Sequence, residues 1–136
     1  MTNETYFHNI QIASGEWRGA GTTTRQLKEA IEDCAEGFSV AYGVPNHQCV
    51  KYCFQLAAHL AQDAKVFGAQ NYVKMPNEKV IAFFSGWDIM QKFYGKPVLI
   101  RFDHAYWDNC PSKERQRLLN YVISHNARTI AKGAQV

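Results

Sequence analysis

Apolar and polar positions follow two periods along this chain, and the switches between them mark its elements. Residues 6–13 read as a strand, with Ile10 and Ile12 alternating with Gln11 among aromatics. A glycine-containing loop, 15–21, leads to Thr23 and, three residues on, Gln26, the spacing of a capping box. Leu27, Ala30, Ile31, Cys34 and Phe38 then recur at helical spacing, with Gly37 as the stop. Residues 38–42 predict a short buried strand. Gly43 and Pro45 break the chain, and Asn46 is placed to cap a helix over 47–66. That helix is apolar through Val50, Cys53, Phe54, Ala57, Leu60, Ala61 and Ala64. Only Lys51, Gln55, His59 and Gln62 form a polar stripe, so it is expected deep in the core.

The segment 79–94 supports two readings. Val80, Phe83, Phe84, Trp87, Met90 and Tyr94 have helical spacing, yet Val80 to Phe84 is also a buried-strand run closed by Ser85 and Gly86. The preferred division is a strand at 79–84 and a helix at 86–94, with Ser85 and Asp88 as its cap. Residues 96–102 form a strand with Pro97 near its start. Pro111 and Ser112 open a final helix, 112–131, whose buried face carries Leu118, Leu119, Val122, Ile123 and Ile130. Alternating strands and helices predict an α/β fold: a single small layered domain over residues 1–136, with about four strands and four helices. An α+β arrangement is the alternative.

The chain has 136 residues, enough for one core, and its 46% hydrophobic and 20% charged content excludes a disordered class. No apolar run approaches the ~20 residues that span a bilayer. The amino-terminal stretch Met1 to Thr5 lacks the basic and apolar regions of a secretion signal, which predicts a cytoplasmic protein. Cys34, Cys49, Cys53 and Cys110 contain no CxxC pair and are expected to be reduced thiols.

Charge changes the picture more than composition does. Residues 1–109 carry ten Lys/Arg against eleven Asp/Glu, a net of −1, whereas 110–136 carry five against one, a net of +4. Lys113, Arg117, Tyr121, Ser124, Arg128 and Lys132 recur every three or four residues and share one helix face. A cationic face of this kind suits an acidic macromolecule, either nucleic acid or an acidic protein surface. The leading expectation is thus a small binding protein that presents its last helix to such a partner. The plainer alternative is a solvated face whose cations suit a helix carboxyl end.

A second constellation points to chemistry. Cys49 falls in the first turn of a helix, where the dipole and free N–H groups favour a thiolate. His104 could take its proton, Gln48 could donate to an oxyanion, and the flanking Asp103, Asp108 or Asn109 could orient the imidazole, giving a thiol-dependent hydrolase or acyltransferase. No family signature surrounds the cysteine, and Cys49 and Cys53, one turn apart, read equally as core. The loop 15–21 departs from the G-x-x-x-x-G-K-[ST] phosphate loop, although Arg18 and the threonines at 22–24 suit a weakly held anion. Cysteine and histidine spacings match no usual zinc pair, so neither metal nor cofactor is expected. Phe102, Tyr106 and Trp107 near His104 suit either a ligand pocket or a core corner.

Overall fold

The computed structural model describes residues 21–85 and 96–134. The strand expected at 6–13, Arg18 with its loop, and the helix expected at 86–94 lie outside them. The elements in order are α1 (Thr22–Ala35), β1 (Val40–Val44), α2 (His47–Leu60), β2 (Lys65–Phe67), β3 (Tyr72–Lys74), β4 (Val80–Ser85), β5 (Leu99–Phe102), α3 (His104–Asp108) and α4 (Ser112–Ala134). A single 3-10 turn, Gly68–Gln70, joins β2 to β3.

The strands form one mixed sheet in the order β2-β3-β4-β1-β5. Strand β1 is parallel to both its neighbours, β4 and β5, while β3 runs antiparallel to both β2 and β4. The domain is therefore α/β and layered, with an antiparallel hairpin added on one side. All five residues of β1 are buried, the pattern of a strand covered on both faces.

Register places Tyr42 beside Phe83 on one neighbour and Arg101 on the other. Phe83 packs against Tyr42 and against Phe54 of α2, with ring centroids 5.5 and 6.2 Å away. Arg101 reaches α1 instead. Its Nε donates to Asp33 Oδ2 at 2.6 Å, one amino group to Asp33 Oδ1 at 3.3 Å, and the other to Glu29 Oε2 at 3.0 Å. Arg101 is 5% exposed and Asp33 fully buried, so α1 docks on this face through a buried ion pair.

The free edge of β5 is covered by α4 through side chains. Asn126 Oδ1 accepts the Ile100 N–H at 2.8 Å, and its Nδ2 donates to the Ile100 carbonyl at 2.9 Å. Thr129 donates to the Val98 carbonyl at 3.1 Å, and His125 Nε2 lies 2.9 Å from the same oxygen. Asn126 thus bonds Ile100 as a neighbouring strand would, which removes an edge that could pair with another chain. Burial and the nearby Arg128 and Lys132 push the His125 imidazole below its ordinary value, while its bond to the Val98 carbonyl pulls it up.

Several boundaries differ from expectation for physical reasons. The cap of α1 is Gly21, in the left-handed conformation at φ 73°, and Thr23 lies inside the helix. Gln26 does not close a capping box, because its amide bonds β5 instead. Asn46 does cap α2, accepting the Cys49 N–H at 3.0 Å. That helix stops at Leu60 and buries one stripe, Val50, Cys53, Phe54 and Ala57, with Tyr52 62% exposed. It lies on the sheet and does not thread the core.

Replacing Asn126 with Ala removes both bonds to Ile100, and unfolding in urea should show a loss of about 2–3 kcal/mol, at roughly 1–1.5 for each buried bond. A second expectation follows from Asp33. Burial pushes its carboxyl up to about 6, with Arg101 opposing. The unfolded chain releases this proton near pH ~4. Stability from this group is therefore fully present below about pH 4 and is lost as pH rises through about 6. Unfolding curves from pH 4 to 6 should show the wild type losing stability relative to Asp33→Asn as pH rises. A wild type that gains stability relative to Asp33→Asn as pH rises would contradict this.

Candidate functional site at the carboxyl ends of the parallel strands

Because β1 and β5 are parallel neighbours, their carboxyl ends open on the same side of the sheet. Open α/β sheets bind ligands in the crevice outside such ends. The chain leaves β1 through Pro45 into α2 and leaves β5 through Asp103 into α3. Asp103 joins the two exits. Its N–H donates to the Gly43 carbonyl at 2.8 Å, its Oδ1 accepts the Tyr42 hydroxyl at 2.7 Å, and its Oδ2 accepts the Ala105 N–H at 3.1 Å. Burial, reinforced by the Asp103 charge, holds the Tyr42 phenol well above its ordinary value, so it stays a donor.

Helix α1 runs against β5. Asp33 and Glu29 meet Arg101, and three residues further along the strand direction Thr23 meets His104. The amino-terminal ends of α1, α2 and α3 therefore gather at this end of the sheet. Gln26 fixes the approach: its Oε1 accepts the His104 N–H at 2.9 Å and its Nε2 donates to the Phe102 carbonyl at 3.5 Å.

His104 is the centre of the group and only 7% exposed. Its Nε2 lies 2.9 Å from Thr23 Oγ1. Two carboxylates flank the ring, Asp108 Oδ2 at 3.6 Å from Nδ1 and Asp103 Oδ2 at 3.7 Å from Nε2. Among the described residues Nδ1 is buried without a hydrogen-bond partner, an arrangement that costs about 1–3 kcal/mol and asks for a reason. Asp108 sits one turn after His104 on the same short helix, which is why the two side chains meet.

The structure brings His104 and Asp108 together, as their spacing suggests, and adds Thr23. Cys49 is half-buried in the first turn of α2, with exposed Gln48 before it. No hydrogen bond joins Cys49 to His104 among the described residues; the imidazole Nε2 is engaged by Thr23. Cys53, one turn further along α2, lies deeper. Burial, then the Asp103 charge, pushes its thiol far above the ordinary range. Phe102, Tyr106 and Trp107 pack on one another with centroids 4.6 to 6.4 Å apart, and Trp107 is 1% exposed, so they form a corner of the core. From the sequence, Thr23 was legible only as part of a loop suited to a weakly held anion, and Gln26 not as a site residue. Their spacing matches a capping box, and only the tertiary position of β5 gives them other partners.

Along α4, Lys113, Arg117, Ser124, Arg128 and Lys132 are exposed. Tyr121 is half-buried and stacks on His125 with centroids 6.0 Å apart, so it turns toward the body of the protein and away from the stripe. A cleft of about 550 Å³ lies at the other end of the sheet, between the carboxyl ends of α1 and α2 and the turn before β4, lined by Ile31, Leu60, Met75 and Asn77 among others. Among the described residues no cluster of three or more His, Cys, Asp or Glu is placed to hold a metal ion, and no helix is long and apolar enough to cross a membrane. Comparison with known proteins found no matching family, no similar curated protein and no similar solved structure.

The thiols should separate in native alkylation with iodoacetamide read by mass spectrometry. Cys34 and Cys53 are buried, and burial pushes the Cys34 thiol up to about 12, so both should stay unlabelled until the protein unfolds. Labelling should fall on half-buried Cys49 and Cys110, with Cys110 slowed because burial and Glu114 raise its thiol.

Proposed function

We propose that this protein binds an acidic partner through the cationic face of α4. What supports the reading is the exposure of Lys113, Arg117, Arg128 and Lys132 on one side of a 23-residue helix, none with a carboxylate in ion-pair range among the described residues. The four cations span 20 residues, about 28 Å of helix. Asn126, Thr129 and His125 fix α4 to β5, which holds the stripe in position. A rigid row of unpaired cations loses little freedom on meeting a row of fixed anions. Displacing condensed counterions from a phosphate backbone adds affinity that depends steeply on salt.

The test is fluorescence anisotropy of labelled duplex DNA, single-stranded RNA and poly-glutamate across a salt series. If all four cations engage a duplex, log K should fall against log salt with a slope of about −3 to −4. Changing Lys113, Arg117 and Arg128 together to Gln should weaken binding and make that slope shallower by about 2.7, at roughly 0.9 per contact. Unchanged affinity and slope for all three polyanions would contradict the reading. Preference for poly-glutamate over both nucleic acids would assign the face to an acidic protein surface.

A further inference from the structure

We propose that Thr23, His104 and Asp108 form a hydroxyl-activating site for acyl transfer, with carboxylic esters as the substrate class. Nucleophilic catalysis by a hydroxyl requires a base within hydrogen-bond reach, a group that orients the base, and donors for the oxyanion. Each is present at the carboxyl ends of β1 and β5. Thr23 Oγ1 lies 2.9 Å from His104 Nε2. Asp108 Oδ2 stands 3.6 Å from the other ring nitrogen, which is buried and has no hydrogen-bond partner among the described residues. Catalytic hydrogen bonds are often loose before substrate binds and tighten in the complex.

The carboxylate facing Nδ1 favours the tautomer with its proton there, which leaves the Nε2 lone pair to accept from Thr23. Asp103 also stands near the ring, 3.7 Å from Nε2, but both its oxygens already accept hydrogen bonds, from Tyr42 and from Ala105. The oxyanion donors come from α1. Its cap is Gly21, which has no side chain to offer, and its first intrahelical bond runs from the Arg25 N–H to the Gly21 carbonyl. The N–H groups of Thr23 and Thr24 precede that bond, and Gly21 gives them no side-chain cap. Thr23 is half-buried while the imidazole behind it is buried, so of the nucleophile and its base Thr23 is the more accessible.

The chemistry runs in two steps. Thr23 Oγ1 bonds to the ester carbonyl carbon as His104 Nε2 takes the hydroxyl proton, and the carbonyl electrons move onto oxygen. Collapse breaks the bond to the alcohol oxygen, which leaves with the proton from the imidazolium, and the acyl group remains on Thr23. Water then gives a proton to His104 and adds to the acyl carbon. The bond to Oγ1 breaks, Thr23 regains its proton, and a carboxylic acid departs. In this scheme the nucleophile is the Thr23 hydroxyl and not the Cys49 thiol.

The experiment measures release of p-nitrophenol from p-nitrophenyl acetate and butyrate by the full chain, against free imidazole as the control. Wild type should exceed the control, and Thr23→Val, which keeps the shape and removes the hydroxyl, should lose about 100-fold or more. Thr23→Ser should stay within about tenfold of wild type, at the scale of a retained nucleophile and base. Asp108→Asn should lose about 10- to 100-fold and shift the pH profile, as expected for a group that orients the base. Circular dichroism establishes that each variant is folded; should Thr23→Val unfold, a fluorophosphonate probe mapped by mass spectrometry replaces it, and its adduct is expected on Thr23. Turnover no faster than imidazole, an unchanged rate in folded Thr23→Val, or an adduct on another residue would overturn the proposal. So would loss of turnover in Cys49→Ala with Thr23→Val still active. The two proposals rest on different residues and are read by different assays, so failure of one leaves the other standing.

Discussion

Everything at the carboxyl end of the sheet depends on how α1 is held against β5, and that grip is a buried charge pair. Arg101 sits on the covered face of the sheet, and its guanidinium meets Asp33 with two bonds and Glu29 with a third. Taking these charges out of water costs several kcal/mol per ion, and attraction between them roughly offsets that cost. Breaking such a pair on one side costs about 3–5 kcal/mol, because the partner is left charged and dry. The pair therefore adds little net stability but penalises every other position of α1. Given that position, Gln26 falls opposite the end of β5 and Thr23 opposite His104.

The other side of β5 is held by a different device. A helix has no free backbone donors or acceptors to offer a strand edge, so α4 supplies side chains: the Asn126 amide, the Thr129 hydroxyl and the His125 ring. These three polar groups occupy the docked face of α4 beside buried Leu118 and Val122. With that face occupied, the cations of α4 point outward. One strand thus has its position set by an ion pair on its face and by amide and hydroxyl bonds at its edge, and it carries a candidate site at its end.

The layered α/β class was legible because β1 and β5 are buried runs and β4 an apolar one, bounded by turn signals and separated by helical periodicity. The hairpin of β2 and β3 was not. Lys65–Phe67 and Tyr72–Lys74 are too short to show alternation, and Ala61 and Ala64 continue the helical spacing of α2 past its true end. The five-residue α3 is equally hidden, although Asp103 caps it as an N-cap residue should. On α4 the apolar stripe was readable, but His125, Asn126 and Thr129 look like interruptions of it until the edge of β5 is in view. At the candidate site, His104 with Asp108 could be read from their spacing. Thr23 and Gln26 could not, since the same residues satisfy a local helix-start pattern and only a long-range contact decides otherwise.

The account turns on one bond, between the Thr23 hydroxyl and the His104 imidazole, set by the docking of α1 and oriented by Asp108. Long-range proton–nitrogen NMR correlation of the imidazole rings reports which nitrogen of His104 carries the proton in the neutral ring. The account predicts the Nδ1-protonated tautomer, with Nε2 as acceptor, and a loss of that preference in Thr23→Val and Asp108→Asn. A ring protonated at Nε2, or one averaging both tautomers as in free solution, would contradict it.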